Sequence, residues 1–147
     1  WRGTLARIVH KTMQEMAFAY KTEPKHLKAV IGPGISMENF EVGDEVYEAF
    51  EQAAFPMEKI AAQYPNAVFK ANPEERERMA AEENIDQPLK WHINLPLCNK
   101  EILIHCGVLE ENIHDCGICT FAHSDEYFSA RKLGTDSGRI YTAIMLK

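Results

Sequence analysis

Apolar residues recur every three or four positions in three stretches of the chain, and this spacing predicts three amphipathic helices. Thr4 is placed to cap the first helix, and Lys21 to Pro24 ends it. Gly107 is placed to end the third helix. The predicted helices cover Thr4 to about Tyr20, the stretch from Gly43 to just before Pro56, and Ile93 to Cys106.

Short runs of β-branched and aromatic residues predict strands between and after these helices. The run from Leu27 to Ile31 leads into Gly32-Pro33-Gly34, as a buried strand leads into a turn. The other predicted strands are Tyr64 to Lys70, Asn112 to Cys116, Tyr127 to Arg131 and Arg139 to Leu146. The order of elements predicts a layered α/β or α+β domain with a mixed sheet, covering 1–147 as a single domain.

The composition is that of an ordinary folded chain and excludes several classes of protein. Hydrophobic residues make up 46% of the 147 residues and charged residues 26%, which argues against disorder and coiled coils. The formal net charge of −6 opposes broad contact with nucleic acid or an anionic membrane. The charged run from Pro73 to Glu83 is interpreted as a solvated helix or loop.

The cysteines lie in the last third of the chain, at positions 98, 106, 116 and 119. A secreted disulfide scaffold is usually smaller and richer in cysteine, so we expect reduced thiols and a cytoplasmic location. The first residue is Trp1 and not Met, so we expect that the chain has lost its beginning.

The segment Cys116-Gly117-Ile118-Cys119, followed by His123, contains ligand types that suit zinc. A strong zinc signal needs a second ligand pair, and His105 with Cys106 lie on a predicted helix, where adjacent residues face different ways. The motif therefore favours buried, chemically idle cysteines over structural zinc, and a redox pair is weaker still because the motif does not open a helix.

Two further segments could bind an anion. Gly32-Pro33-Gly34 with Ser36 could bring backbone amides to an anion, but it lacks the glycine spacing and the lysine of a phosphate loop. The tail from Phe128 to Arg139 places Arg131, Lys132 and Arg139 among hydroxyls and glycines. A tight turn and a solvated hairpin loop are the plain alternatives for the two segments.

A series of short motifs runs along the chain in a fixed order. It begins with Trp1-Arg2-Gly3-Thr4 and continues with Ile31-Gly32-Pro33, Phe40-Glu41-Val42-Gly43, Leu97 to Leu103 with Asn99, Gly107-Val108, Cys119-Thr120, Phe128-Ser129-Ala130-Arg131 and Gly138-Arg139. Together these motifs resemble one family, the YfiH type, which is labelled both as laccase-domain or polyphenol oxidoreductase proteins and as purine nucleoside phosphorylases. The first motif resembles the close of the family's His-Ala-Gly-Trp-Arg-Gly motif, and the resemblance covers almost the whole chain.

The sequence departs from the family pattern at four positions. Gly34 stands where many relatives carry Cys or Ala, and Asn94 stands where Asp is frequent. Ala130 replaces the usual Tyr, and Ser137 replaces Thr before Gly138. These differences weaken the transfer of roles to single residues more than they weaken the fold.

The resemblance implies an α+β fold with α/β/β/α layers, of which this chain is the C-terminal part. It implies phosphorolysis of purine nucleosides, with or without deamination of adenosine. In this family a metal is held by two His and one Cys that would precede Trp1, so the implied zinc has no ligands in this chain. Copper is the alternative metal.

The resemblance also places site residues in this sequence. It implies Arg2 as a catalytic and phosphate-binding residue, and Gly32, Pro33, Ser129 and Arg131 as phosphate- or substrate-binding residues. A salt bridge that locks the tail to the sheet is the alternative for Arg131 and for Arg139.

Two other classes of function stay open. One is a copper-dependent polyphenol oxidase, although the chain offers no dense array of His for several copper centres. The other is a non-catalytic module that zinc stabilises at Cys116 and Cys119. The expected partners are a purine nucleoside and phosphate, without nucleic acid or membrane, and a monomer is favoured.

Overall fold

The computed structural model describes residues 1–65 and 89–145, and these residues combine helices with parallel and antiparallel strands. In chain order the elements are α1 (Arg2–Leu5), α2 (Ile8–Tyr20), β1 (Ala29–Ile31), β2 (Glu41–Val42), α3 (Asp44–Gln52), α4 (Met57–Ile60), β3 (Ala61–Pro65), β4 (Leu89–Ile93), α5 (Leu95–His105), β5 (Ile113–Asp115) and α6 (Ala130–Leu133). The predicted α+β class with mixed sheets is confirmed.

The described residues fall into two compact units. Unit 1 contains those of Trp1–Ser36 and Leu95–Lys147, and unit 2 contains those of Met37–Asn94. The single domain over 1–147 stays a prediction. None of the helices in the described ranges has both the length and the apolar content needed to cross a membrane.

Unit 1 is built on a parallel pair of strands, β1 and β5. Ala29 lies opposite Ile113, and Ile31 lies opposite Asp115. Helices α2 and α5 supply the core beside this pair, where Met13, Leu103 and Val108 are buried together. Burying one such side chain contributes roughly 1.5–3 kcal/mol relative to leaving it exposed.

Unit 2 contains an antiparallel sheet in the order β2-β4-β3. Phe50 of α3, Ile60 of α4 and Ile93 of β4 are fully buried in it. The rings of Phe50 and Phe55 lie 4.9 Å apart between centroids. The amphipathic pattern after Gly43 therefore predicted α3 correctly, because its apolar face packs into this core.

The first predicted helix is wrong as a single element, because it is broken between Leu5 and Ile8. Arg7 has a φ of 51°, a left-handed conformation that separates α1 from α2. The apolar period continues across this break, so the pattern gave no sign of it. Thr4 lies inside α1 and makes no capping hydrogen bond, which corrects its predicted role.

The predicted end of the third helix is confirmed at Gly107. The Gly107 amide donates to the Ile104 carbonyl at 2.9 Å, and the Val108 amide donates to the Leu103 carbonyl at 3.1 Å. These two bonds form a Schellman motif, in which Gly107 adopts a φ of 91°. The predicted start at Ile93 is wrong, because Ile93 belongs to β4 and α5 begins at Leu95.

Two predicted strands in the tail are wrong. Residues 127–131 contain the start of α6, because the Ser129 carbonyl accepts the amides of Lys132 and Leu133. Residues 139–145 have no strand pairing, and Tyr141 is 95% exposed. Strand-forming residues make a strand only beside a partner strand. The described part of the predicted strand from Tyr64 to Lys70 lies in β3. Residues 66–70 of that strand, and the charged run from Pro73 to Glu83, lie outside the described residues.

Candidate functional site

A cavity of about 620 Å³ lies in unit 1, against α1, α2, β1 and α5. Its wall is mainly apolar and includes Trp1, Val9, Met13, Leu27 and Leu103. The polar side chains in the wall belong to Thr4, Thr12, Lys28 and Asn99. Size and composition are those of a site for a small organic molecule, which is apolar with a few polar groups that orient the ligand.

Thr4 and Asn99 form a hydrogen-bonded pair in the cavity wall. The Asn99 Nδ2 atom donates to Thr4 Oγ1 at 3.2 Å and to the Leu95 carbonyl oxygen at 2.9 Å. The two residues are 95 positions apart in the sequence, so this contact holds α1 to α5. Thr4 is buried and Asn99 is partly buried.

Lys28 and Thr12, the other polar residues of the wall, are engaged within the chain. The Lys28 ammonium donates to the side-chain oxygen of Asn112. The Thr12 hydroxyl donates to the Ile8 carbonyl oxygen at 2.9 Å. The Thr12 hydroxyl hydrogen is therefore used inside α2.

Arg2 lies in α1 between the cavity residues Trp1 and Gly3. Its guanidinium carbon is 4.8 Å from the centroid of a Trp1 ring, within the range of a cation–π contact. Arg2 is exposed. The structure thus places Arg2 at the edge of the cavity wall and not among the lining residues.

The turn Gly32-Pro33-Gly34 follows β1 and is joined to the segment after β5. The Gly34 amide donates to the Ile118 carbonyl at 3.1 Å, and the Thr120 amide donates to the Gly34 carbonyl at 2.9 Å. Gly32 lies directly after the cavity residue Ile31. A Cβ at Gly32 would lie 2.8 Å from Thr142 Oγ1, so a larger residue there would require the Thr142 side chain to shift.

The buried Cys119 side chain accepts a hydrogen bond from the residues that follow this turn. The Ser36 amide donates to Cys119 Sγ at 3.3 Å. Burial acts to raise the pKa of Cys119, but hydrogen bonds from the Ser36 side chain and from the backbone amides of Ala122, Ser36 and Phe121 outweigh it and lower the pKa. Apart from the Cys119-Thr120 match to the family, no sequence pattern predicted this arrangement.

Two more thiols have a shifted pKa: Cys98 lies in α5, and Cys106 directly follows α5. Burial raises the pKa of Cys98 to about 12. Burial also raises the pKa of Cys106. None of the four cysteines forms a disulfide in the part of the chain that the structure describes. A buried thiol that stays protonated is a weak nucleophile and a weak metal ligand.

The tail residues Ser129 and Arg131 lie at α6 and not in the cavity wall. Ser129 is buried, and Arg131 is exposed. The Arg139 guanidinium donates to the Ser137 carbonyl at 2.6 Å and to the Gly138 carbonyl at 3.1 Å. Among the described residues, the Arg139 guanidinium thus bonds to carbonyls of its own loop, and a salt bridge from Arg131 or Arg139 to the sheet stays a prediction.

No group of three or more His, Cys, Asp or Glu side chains that could hold a metal occurs within residues 1–65 and 89–145. In this part of the chain the residues do not fit a zinc or copper centre. Cys116 and Cys119 have no third ligand there, so a zinc-stabilised module at this motif is not supported.

The whole chain, residues 1–147, matches the model of the multi-copper polyphenol oxidoreductase laccase family. The chain belongs to this family, as the resemblance to the YfiH type predicted. The crystal structure of a hypothetical protein YfiH from Bacillus licheniformis has the same fold, with a TM-score of 0.67. The match has 21% sequence identity and covers 90% of this chain and 42% of that chain.

Relatives with assigned names are more similar in sequence. A protein of Bacteroides thetaiotaomicron named purine nucleoside phosphorylase is 37% identical over 146 residues, which are 99% of this chain and 46% of that protein. Adenosine deaminase RL5, from an unknown prokaryotic organism, is 35% identical over 147 residues, 100% of this chain and 48% of that protein. This chain thus spans about half the length of both relatives.

Proposed function

We propose that the full-length protein is a purine nucleoside phosphorylase. It would cleave adenosine, inosine or methylthioadenosine with phosphate into the free base and the ribose 1-phosphate product. The observation that carries the proposal is the 37% identity, over 99% of this chain, to a relative that bears this name. The cavity of about 620 Å³ in unit 1 supports it, because a small organic ligand needs such a site.

The reaction exchanges one bond at C1′ of the sugar for another. The bond from C1′ to the base nitrogen breaks, and its electron pair leaves with the base. A phosphate oxygen forms the new bond to C1′. The sugar carries positive charge in the transition state, so the protein must hold the phosphate dianion close to C1′ and fix the base.

Arg2 and Arg131 are the residues proposed to bind phosphate or sugar oxygens. A guanidinium donates two parallel hydrogen bonds to a phosphate and stays charged at all working pH values. The position of Arg2 between the cavity residues Trp1 and Gly3 supports this role. Gly32 and Pro33 are proposed to shape the pocket, and Ser129 is proposed to bind substrate.

Zinc dependence is part of the proposal, and copper is the alternative metal. The described residues of this chain do not supply a metal site. The family resemblance, in which two His and one Cys precede the segment that matches Trp1, is the basis for proposing that the ligands lie outside these 147 residues.

Deamination of adenosine is a second candidate activity, and one observation favours it. Adenosine deaminase RL5 is 35% identical over the whole of this chain. Deamination replaces the 6-amino group by oxygen from water and releases ammonia, without breaking the bond to the sugar. Inosine formed from adenosine in the absence of phosphate would therefore identify it.

Phenol oxidation is the alternative that the family description names. Metal analysis of the purified full-length protein separates the two functions. Zinc with phosphate-dependent release of base supports the proposal, whereas stoichiometric copper with oxygen uptake on phenols contradicts it.

The residue assignments are tested with Arg2→Ala and Arg131→Ala in the full-length protein. Removing a charged hydrogen bond to phosphate is expected to lower kcat/KM roughly 10- to 100-fold. Lys132→Ala is the control, because it removes an equal charge from α6, where its ammonium lies 5.4 Å from the Phe121 ring centroid. Activity equal to wild type in both arginine variants would reject the assignments.

A further inference from the structure

The polar pair in the cavity wall has a fixed orientation. Leu95 offers a carbonyl oxygen, which only accepts, so it selects the nitrogen end of the Asn99 amide. The second hydrogen of Nδ2 goes to Thr4 Oγ1. Both donors of Asn99 are thus occupied, and its Oδ1 atom is left as an acceptor.

Thr4, in contrast, has a hydrogen-bond donor available. Its oxygen accepts from Asn99, and its hydroxyl hydrogen has no recorded acceptor among the residues that the structure describes. Thr4 and Asn99 therefore provide one donor and one acceptor side by side in the wall. Thr12 differs, since Ile8 already takes its hydrogen.

The rest of the wall suits a flat apolar ring. Val9, Met13, Leu27 and Leu103 are aliphatic or thioether side chains, and Trp1 adds an indole. Methionine sulfur and indole both make favourable contacts with aromatic rings. A planar heterocycle with a hydrogen-bond donor beside an acceptor would match both parts of the wall.

We propose that this cavity binds the purine base, with Asn99 and Thr4 as the residues that recognise its 6-position edge. This inference rests on the proposed function and specifies where the base binds. Adenine would donate its 6-amino hydrogen to Asn99 Oδ1 and accept the Thr4 hydroxyl at N1. Hypoxanthine in the same orientation would place its O6 acceptor against Asn99 Oδ1 and its N1 hydrogen against the Thr4 hydroxyl hydrogen, so the pair favours adenine.

The test is calorimetric titration of the full-length protein with adenine and with unsubstituted purine, which lacks the 6-amino donor. Wild type is expected to bind adenine about tenfold more tightly than purine, the effect of one hydrogen bond. Thr4→Val and Asn99→Leu are each expected to weaken adenine binding about tenfold or more. Thr22→Val makes the same substitution at a half-buried position outside the cavity wall, so it is the control and is expected to leave adenine binding unchanged.

Equal affinity for adenine and purine, or no binding of adenine, overturns the inference, and this comparison needs no variant to fold. Loss of adenine affinity in Thr22→Val equal to that in Thr4→Val also overturns it. Phosphorolysis that persists beside such a result leaves the proposed function standing. If the protein binds adenine as expected but shows no phosphorolysis, the proposed function is rejected and the base site stands.

Discussion

The burial of Cys98 makes a prediction about stability at alkaline pH. Cys98 is fully buried in α5, and burial raises the pKa of its thiol from an ordinary value of 9.0 to about 12. In the unfolded chain the thiol ionises near the ordinary value, whereas in the folded chain it stays neutral. The unfolded state therefore gains stability as the pH rises above that value.

The size of the effect follows from the two pKa values. Between pH 8 and pH 10 the unfolded thiol ionises almost completely, and the folded thiol hardly ionises. Linkage gives a loss of about 1.4 kcal/mol in the free energy of unfolding over this interval. The loss would approach about 4 kcal/mol only near the folded pKa.

The assay is urea unfolding of the full-length protein at both pH values, under reducing conditions. Cys98→Ala and Cys98→Ser remove the thiol, so the pH-dependent loss is expected to be smaller by about 1.4 kcal/mol in both. Ile102→Val is the control, because it removes one methylene from a buried neighbour in α5 and destabilises equally at both pH values. An unchanged pH dependence in both Cys98 variants would show that Cys98 is not the group whose ionisation destabilises the folded state.

Three further predictions concern local contacts. Gly107→Ala is expected to lower the free energy of unfolding by roughly 1–2 kcal/mol, because Gly107 has a φ of 91° in the turn that ends α5. Ser36→Ala is expected to raise the pKa of Cys119, measured by thiolate absorbance, since it removes a hydrogen bond that lowers this pKa. Gly138→Ala is expected to lower the free energy of unfolding measured with denaturant, because the new Cβ would lie 2.6 Å from a Phe128 ring carbon. Adding Phe128→Leu to this variant is expected to restore most of the lost stability.

Each of these predictions has a contrary result. Gly3→Ala is the control for Gly107, since a Cβ there lies at an ordinary 3.7 Å from Ile8 and α1 should gain stability. Equal effects of the two alanines would contradict the role of the left-handed turn. A Cys119 titration unmoved by Ser36→Ala would show that the backbone amides alone set its pKa. Additive effects at Gly138 and Phe128 would exclude their contact.

The sequence was sufficient to predict the ends of elements that depend on residues close by in the chain. Gly107 was predictable because a glycine after an apolar helical run marks the required left-handed residue. The break at Arg7 was not, because arginine has no preference for that conformation. The tail from Arg139 was predicted as a strand from its residue types, but a strand also needs a partner, which propensity does not contain.

The candidate site was less predictable than the fold. The Gly32-Pro33-Gly34 turn was found because glycine and proline mark turns directly. The pairing of Thr4 with Asn99 joins residues 95 positions apart, and the sequence does not reveal such a contact. The phosphate-binding roles of Arg2, Ser129 and Arg131 stay predictions from the family resemblance.

The phosphate dependence of base release by the purified full-length protein tests the proposed phosphorolysis most directly. With adenosine and phosphate we expect free adenine and ribose 1-phosphate in equal amounts, and no adenine when phosphate is omitted. Oxidation of phenols with oxygen uptake, and no base from any purine nucleoside in phosphate, would contradict it.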